Sequence, residues 1–140
     1  MTNIAINVVV PRSLNRRINR VSNNLKFTVE VLRAAVRSLI REVLKTTPFV
    51  TGRLYRSFRI SNNEGYLLLE FRAPYAYRVE KTSRRNMNYL RRGLRRGLAR
   101  ANATRFSTPD GTLVGYHFRS RGIRRRDNGG IMVAISYRRI

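Results

Sequence analysis

Seven acids, one histidine and no cysteine make a sparse set for metal or histidine- and thiol-based chemistry. His117 stands between Tyr116 and Phe118 in an apolar stretch, where a packed or surface strand residue is the plain reading. With no second histidine and no thiolate, zinc lacks a ligand set. Glu30 and Glu42 lie among arginines on a helical pattern, so pairing three or four residues along that helix accounts for them. Glu70 and Glu80 are the two acids that a magnesium-dependent nuclease would bring together. Neither has a third acid or a suitably placed lysine to complete such a site. The stretch TPFVTGRLYRSF, Thr47 to Phe58, combines a Thr-Gly turn with Arg53 and Arg56 and so suggests a phosphate cradle. Neither a P-loop nor a Rossmann glycine fingerprint accompanies it. The expectation is therefore no catalytic residues, no metal, no cofactor and no small-molecule substrate.

Charge is where the composition departs from a typical domain. Thirty basic residues against seven acidic ones give a net +23 over 140 residues. Lys26, Lys45 and Lys81 are the lysines, and every other basic residue is arginine, whose planar fork suits carboxylate and phosphate. Copies this basic repel one another unless something acidic is nearby. Apolar content of 42% is ordinary for a globular domain and too high for a disordered polycation. No apolar run approaches the ~20 residues that a membrane span needs. The opening MTNIAINVVVPR lacks the basic n-region of a signal peptide.

The elements follow from apolar spacing. Ile4, Ile6, Val8 and Val10 alternate as a first strand that Pro11 ends. Ser13 fits as an N-cap, and Leu14, Ile18, Val21, Leu25, Leu32, Val36, Leu39 and Val43 mark one stripe of a helix of roughly nine turns. Pro48 stops that helix by Thr46–Thr47. A hairpin is expected next, turning at Asn62-Asn63-Glu64-Gly65, with Leu67, Leu69 and Phe71 on one face of the returning strand. After Pro74, Tyr75–Glu80 reads as extended or turning chain. A second helix is expected over Asn86–Ala103, with Leu90, Leu94, Leu98 and Ala101 on one face. Gly93 and Gly97, four apart, would form a groove packed on the sheet or on a neighbouring subunit. Thr108-Pro109-Asp110-Gly111 carries turn chemistry. Arg119–Gly130, RSRGIRRRDNGG, is expected as a mobile basic loop, and Ile131–Tyr137 as a closing strand. The chain thus reads as one α+β domain over residues 1–140, with a long N-terminal helix and a second, basic helix packed on a small, mostly antiparallel sheet.

Two segments carry a resemblance. Pro48, Thr51-Gly52-Arg53-Leu54 and Ser57, then Tyr75-Ala76 and Val79-Glu80, resemble a signature of the neck or tail-completion proteins of long-tailed bacteriophages. That family pairs a long N-terminal helix with Pro-x-x-Thr-Gly-x-Leu-x-x-Ser and, about twenty residues on, Tyr-Ala-x-x-Val-Glu. The match covers roughly residues 14–82. The family continues with Gly-Thr after one intervening residue, where this chain has Glu80-Lys81-Thr82, and the arginine-rich part after Arg84 is not explained by it.

The resemblance implies a non-enzymatic virion protein, made in the host cytoplasm and built into the neck as a ring subunit between head connector and tail. A hexamer is the favoured ring, with acidic surfaces of adjoining neck and tail proteins as partners and genomic DNA close by. Within that frame Pro48, Thr51, Gly52, Leu54, Ser57, Tyr75, Ala76, Val79 and Glu80 are expected to be architectural. Gly52 would take positive φ, Leu54 would anchor the core, and the Ser57 hydroxyl would serve a turn amide. Glu80 would pair with Arg53 or Arg56.

The expected contacts to partners or nucleic acid are Arg84, Arg85, Arg91, Arg92, Arg95, Arg96, Arg100, Arg119, Arg121, Arg124, Arg125 and Arg126. The alternative reading is a free, basic nucleic-acid-binding protein, its helix arginines tracking phosphates. It lacks a recognisable DNA-binding module. A membrane-surface helix at YLRRGLRRGLARA is weaker still, since its apolar face has no Trp or Phe.

Overall fold

The computed structural model describes residues 12–140 other than Glu64, with side chains described from Thr28 onward. The expected first strand lies outside the described residues and the stripe before Thr28 outside the described side chains, while Ser13, expected as the N-cap, falls inside the helix that begins at Arg12. Helix α1 runs Arg12–Thr46, and its buried stripe is Val31, Ala35, Leu39 and Val43, each one turn apart. The chain then forms a single turn, α2 (Arg53–Arg56), and the hairpin β1 (Phe58–Asn63) and β2 (Tyr66–Phe71). Two helices follow, α3 (Ala76–Thr82) and α4 (Tyr89–Ala103), and then β3 (Arg105–Ser107), β4 (Leu113–Arg125) and β5 (Ile131–Arg139). The sheet order is β1-β2-β5-β4-β3 with every pairing antiparallel, so the fold is α+β.

Period-two alternation explains which sheet face is covered. Leu67, Leu69 and Phe71 of β2, Ile131, Val133 and Ile135 of β5, and Val114, Tyr116 and Phe118 of β4 are buried together with the α1 stripe. Phe71 links the layers through edge-on contacts with Phe58 and with Tyr89 at the start of α4.

Four sequence expectations are corrected. Arg119–Gly130 is not a mobile loop: strand β4 continues to Arg125, and Arg126–Gly130 is a turn closed by Arg126 N–H to Gly130 O at 2.8 Å. Its arginines hide the strand from a burial-based reading, because the ladder to β5 needs only backbone. A bulge between Ser120 and Ile123 shifts the register and returns Ile123 to the covered side, opposite Val133. The Tyr75–Glu80 stretch, expected as extended or turning chain, is helix from Ala76 onward. Helix α4 begins at Tyr89, three residues later than expected. Gly93 and Gly97 pack on α1, not on the sheet. A Cβ at Gly97 would lie 3.2 Å from the Leu39 Cα, and one at Gly93 would lie 2.8 Å from the Val43 Cα. The missing side chains let the two helix backbones meet closely.

Candidate functional site

The two resemblance-bearing segments converge. Helix α1 ends with Thr47 donating to Val43 O at 2.8 Å and Thr46 donating to Tyr89 O at 2.7 Å, which ties the helix end to the start of α4. Pro48 then turns the chain, and Gly52 takes φ 80°, a left-handed conformation that a side chain disfavours. The single turn α2 follows, with Arg56 N–H bonded to Gly52 O and the Arg56 guanidinium bonded to Thr51 O. Leu54 is buried, as expected. The Ser57 hydroxyl donates to the Leu54 carbonyl at 2.7 Å, so it serves an acceptor and not the turn amide expected of it.

Pro48, Thr51, Gly52 and Leu54 face Tyr75 and Val79 across a cleft of about 90 Å³. The Arg53 guanidinium lies 5.7 Å from the centre of the Tyr75 ring, a cation–π contact that joins the segments.

Helical geometry accounts for the Tyr-Ala-x-x-Val-Glu spacing. Ala76 and Glu80 are four apart on α3, so both point inward from one face and both are buried. Glu80 is 1% exposed, and it does not pair with Arg53 or Arg56. Its two carboxylate oxygens accept the backbone N–H of Leu90 at 2.8 Å and of Arg91 at 3.1 Å. Those amides belong to the first turn of α4, where a capping side chain normally serves them. Asn88, the residue before the helix, makes no side-chain cap, so Glu80 supplies the cap from another helix. Its backbone carbonyl also accepts Asn88 N–H at 2.9 Å.

Burial pushes the Glu80 carboxyl above its ordinary 4.5, against the opposing pull of the two amides and the charges of Arg91 and Lys81. Tyr89, fully buried beside it, donates its hydroxyl to Ala76 O, and burial raises its pKa strongly.

Glu70 pairs with Arg126 and, at 3.9 Å, with Arg72, while Glu80 is occupied by α4, so the two acids do not build a magnesium site. Among the described residues no cluster of three potential metal ligands occurs. His117 is exposed on β4, opposite Arg138.

The expected contact arginines divide. Arg84, Arg85, Arg91, Arg92, Arg95, Arg96, Arg119, Arg121, Arg124 and Arg125 are exposed. Arg100 is exposed too, but its Nε reaches Glu42 at 3.1 Å and binds α4 to α1. Arg126 is half-buried and pairs with Glu70. Between α4 and the β4 bulge runs a groove of about 280 Å³, its floor formed by Leu94, Leu98 and Ile123 and its walls by Lys81, Arg91 and Arg95.

Sequence reasoning missed Lys81 in that groove and the knuckle at Phe49 and Val50, which are 64% and 88% exposed. Two bulky apolar residues between Pro48 and Thr51 that fit no periodic stripe were the available signal. Comparison of the chain with family models, with curated proteins and with solved structures returns no match.

Proposed function

We propose that this chain is a non-enzymatic structural subunit of the phage neck, a tail-completion or head–tail joining protein that works as a ring, with a hexamer favoured. The observation that carries this reading is the convergence of Pro48–Ser57 and Tyr75–Glu80 on one junction. There Thr51 and Gly52 hold the turn α2, the Ser57 hydroxyl closes it at the entry to β1, and Glu80 caps the start of α4. Residues that serve architecture in this way suit an assembly part better than a substrate site. The exposed arginines of α4 and β4 supply a face for acidic surfaces of adjoining neck and tail proteins, and the Phe49–Val50 knuckle supplies an apolar contact beside the corner.

A free nucleic-acid binder is the second reading, favoured by the cationic groove between α4 and β4. Single-stranded nucleic acid asks for aromatic platforms as well as cations. The groove floor is leucine and isoleucine, which fits an acidic protein segment with apolar side chains better.

Mass spectrometry of intact, purified particles tests the proposal, together with particle morphology when the gene is deleted. The expected outcome is the protein in the virion, and separate heads and tails without it. Absence from particles, or tight sequence-selective duplex binding at physiological salt, overturns it.

A further inference from the structure

Strand β1 is an edge strand. Among the described residues its strand partner is β2 alone. The Ser57 carbonyl accepts Arg72 N–H at 3.1 Å, which fixes the phase of the ladder. In an antiparallel pair alternate residues turn both backbone groups toward the partner. Ser57, Arg59, Ser61 and Asn63 therefore address β2, while Phe58, Ile60 and Asn62 address the open side. The Arg59 guanidinium covers the outward Phe58 carbonyl at 2.7 Å, which leaves the backbone of Ile60 and Asn62 as the template. Beside this edge, between β1 and α1, an apolar groove of about 460 Å³ is walled by Leu32, Val36, Ile60 and Leu67, with Arg33 and Arg37 along it.

We infer that the segment Ile4–Val10 of a second copy docks here, adding a strand to β1 and filling the groove. The inference rests on the oligomeric part of the neck reading and supplies its subunit contact. Three observations select this occupant. Ile4, Ile6, Val8 and Val10 alternate, so one face of such a strand is wholly apolar. Its seven residues would span about 23 Å against about 20 Å for the six of β1. The stretch MTNIAINVVV has no charged side chain, so it can approach a +23 neighbour without adding to the repulsion.

Reach makes the contact intermolecular. Leu32 lies twenty residues along α1 from Arg12, about 30 Å, and Val36 about 36 Å. A chain doubling back from Arg12 carries Ile4 only about 26 Å at ~3.3 Å per residue. The segment cannot lie along the whole of its own groove, whereas a neighbour's segment is under no such limit.

The test uses the full chain in sedimentation at about 0.5 M salt, where the Debye length of about 4 Å suppresses charge repulsion. Ile6→Asp combined with Val8→Asp should weaken self-association at least about a hundredfold while leaving the far-UV spectrum of each copy unchanged. Because the chain has no cysteine, an Ile6→Cys copy mixed with an Arg37→Cys copy should form a mixed disulfide on oxidation. Unchanged association of the double-aspartate variant, or failure of the mixed disulfide to form, overturns this inference and leaves the ring reading standing. A full chain that stays monomeric at that salt overturns both.

Discussion

Replacing Glu80 tests whether the Tyr75–Glu80 segment acts by holding α4. Glu80→Gln keeps the shape, but one of its two oxygens becomes an amide donor facing a backbone N–H. One of the bonds at 2.8 and 3.1 Å must then fail, leaving a donor unpaired in a nearly dry site. Such a loss costs about 1–3 kcal/mol, roughly 4–12 °C in melting temperature for a chain of this size. Glu80→Ala strands both amides and leaves a void, for about 3–5 kcal/mol.

The pH dependence sharpens the test. Burial raises the folded-state pKa of Glu80 above 4.5, so between that value and the raised one the folded chain holds the extra proton. Stability contributed by Glu80 is then complete below 4.5 and is lost as pH rises through the raised pKa. Glutamine does not titrate. The gap between wild type and Glu80→Gln should accordingly be widest near pH 4 and narrow toward pH 7, with the remaining carboxylates cancelling in the difference. Equilibrium urea unfolding followed by circular dichroism across that range measures it. A glutamine variant as stable as wild type throughout would refute the capping role, whereas a gap that widens with pH would show the two amide bonds outweighing burial and refute the raised pKa alone.

Gly97→Ala should destabilise by about 1–3 kcal/mol in thermal unfolding, although alanine favours helix by about 1 kcal/mol, because its Cβ meets the Leu39 backbone. Gly52→Ala should cost about 1–2 kcal/mol by the same measurement, since φ 80° strains an L-residue and the new Cβ lies 2.8 Å from the Phe49 ring. Arg126→Ala should lower stability by about 1–3 kcal/mol by leaving Glu70 short of a partner. Arg92→Ala, by contrast, should stay within about 0.5 kcal/mol of wild type and instead weaken retention on an anionic resin.

What could be read from the sequence depended on how each element is stabilised. Helix α1, the β1–β2 hairpin and β5 advertise themselves because they bury alternate or every-fourth apolar residues, as Leu39 and Val43 or Leu67 and Leu69 do. The outer half of β4 does not. Arg119, Arg121, Arg124 and Arg125 are exposed, and a backbone ladder with one inward Ile123 holds the strand. The short helix α3 was hidden for the opposite reason, since its inward residues are an alanine and a glutamate, neither of which looks like core. The junction's membership was legible through the family resemblance, but its bonding was not. The number of arginines around Glu80 suggested an ion pair, whereas the unserved amides of α4, which no sequence pattern marks, are nearer and claim it.

That distribution of acids has a consequence for the whole surface. Glu42 is taken by Lys45 and Arg100, Glu70 by Arg126 and Arg72, and Glu80 by backbone amides. Asp110 is held in its turn by Thr108 and Thr112, and the Thr108 hydroxyl keeps its carboxyl below the usual range. The fold thus spends much of its small acidic complement internally and leaves the arginines of α4 and β4 nearly unopposed. Two associations should then respond to salt with opposite sign. Self-association sets like charges against each other and should strengthen as ionic strength rises, while binding to an acidic partner should weaken. Sedimentation of the chain alone, and titration with a polyglutamate peptide, from about 0.05 to 0.5 M salt should show the two trends crossing. If both weakened together, the copies would be meeting through complementary charges, and the apolar contact at β1 could not be what joins them.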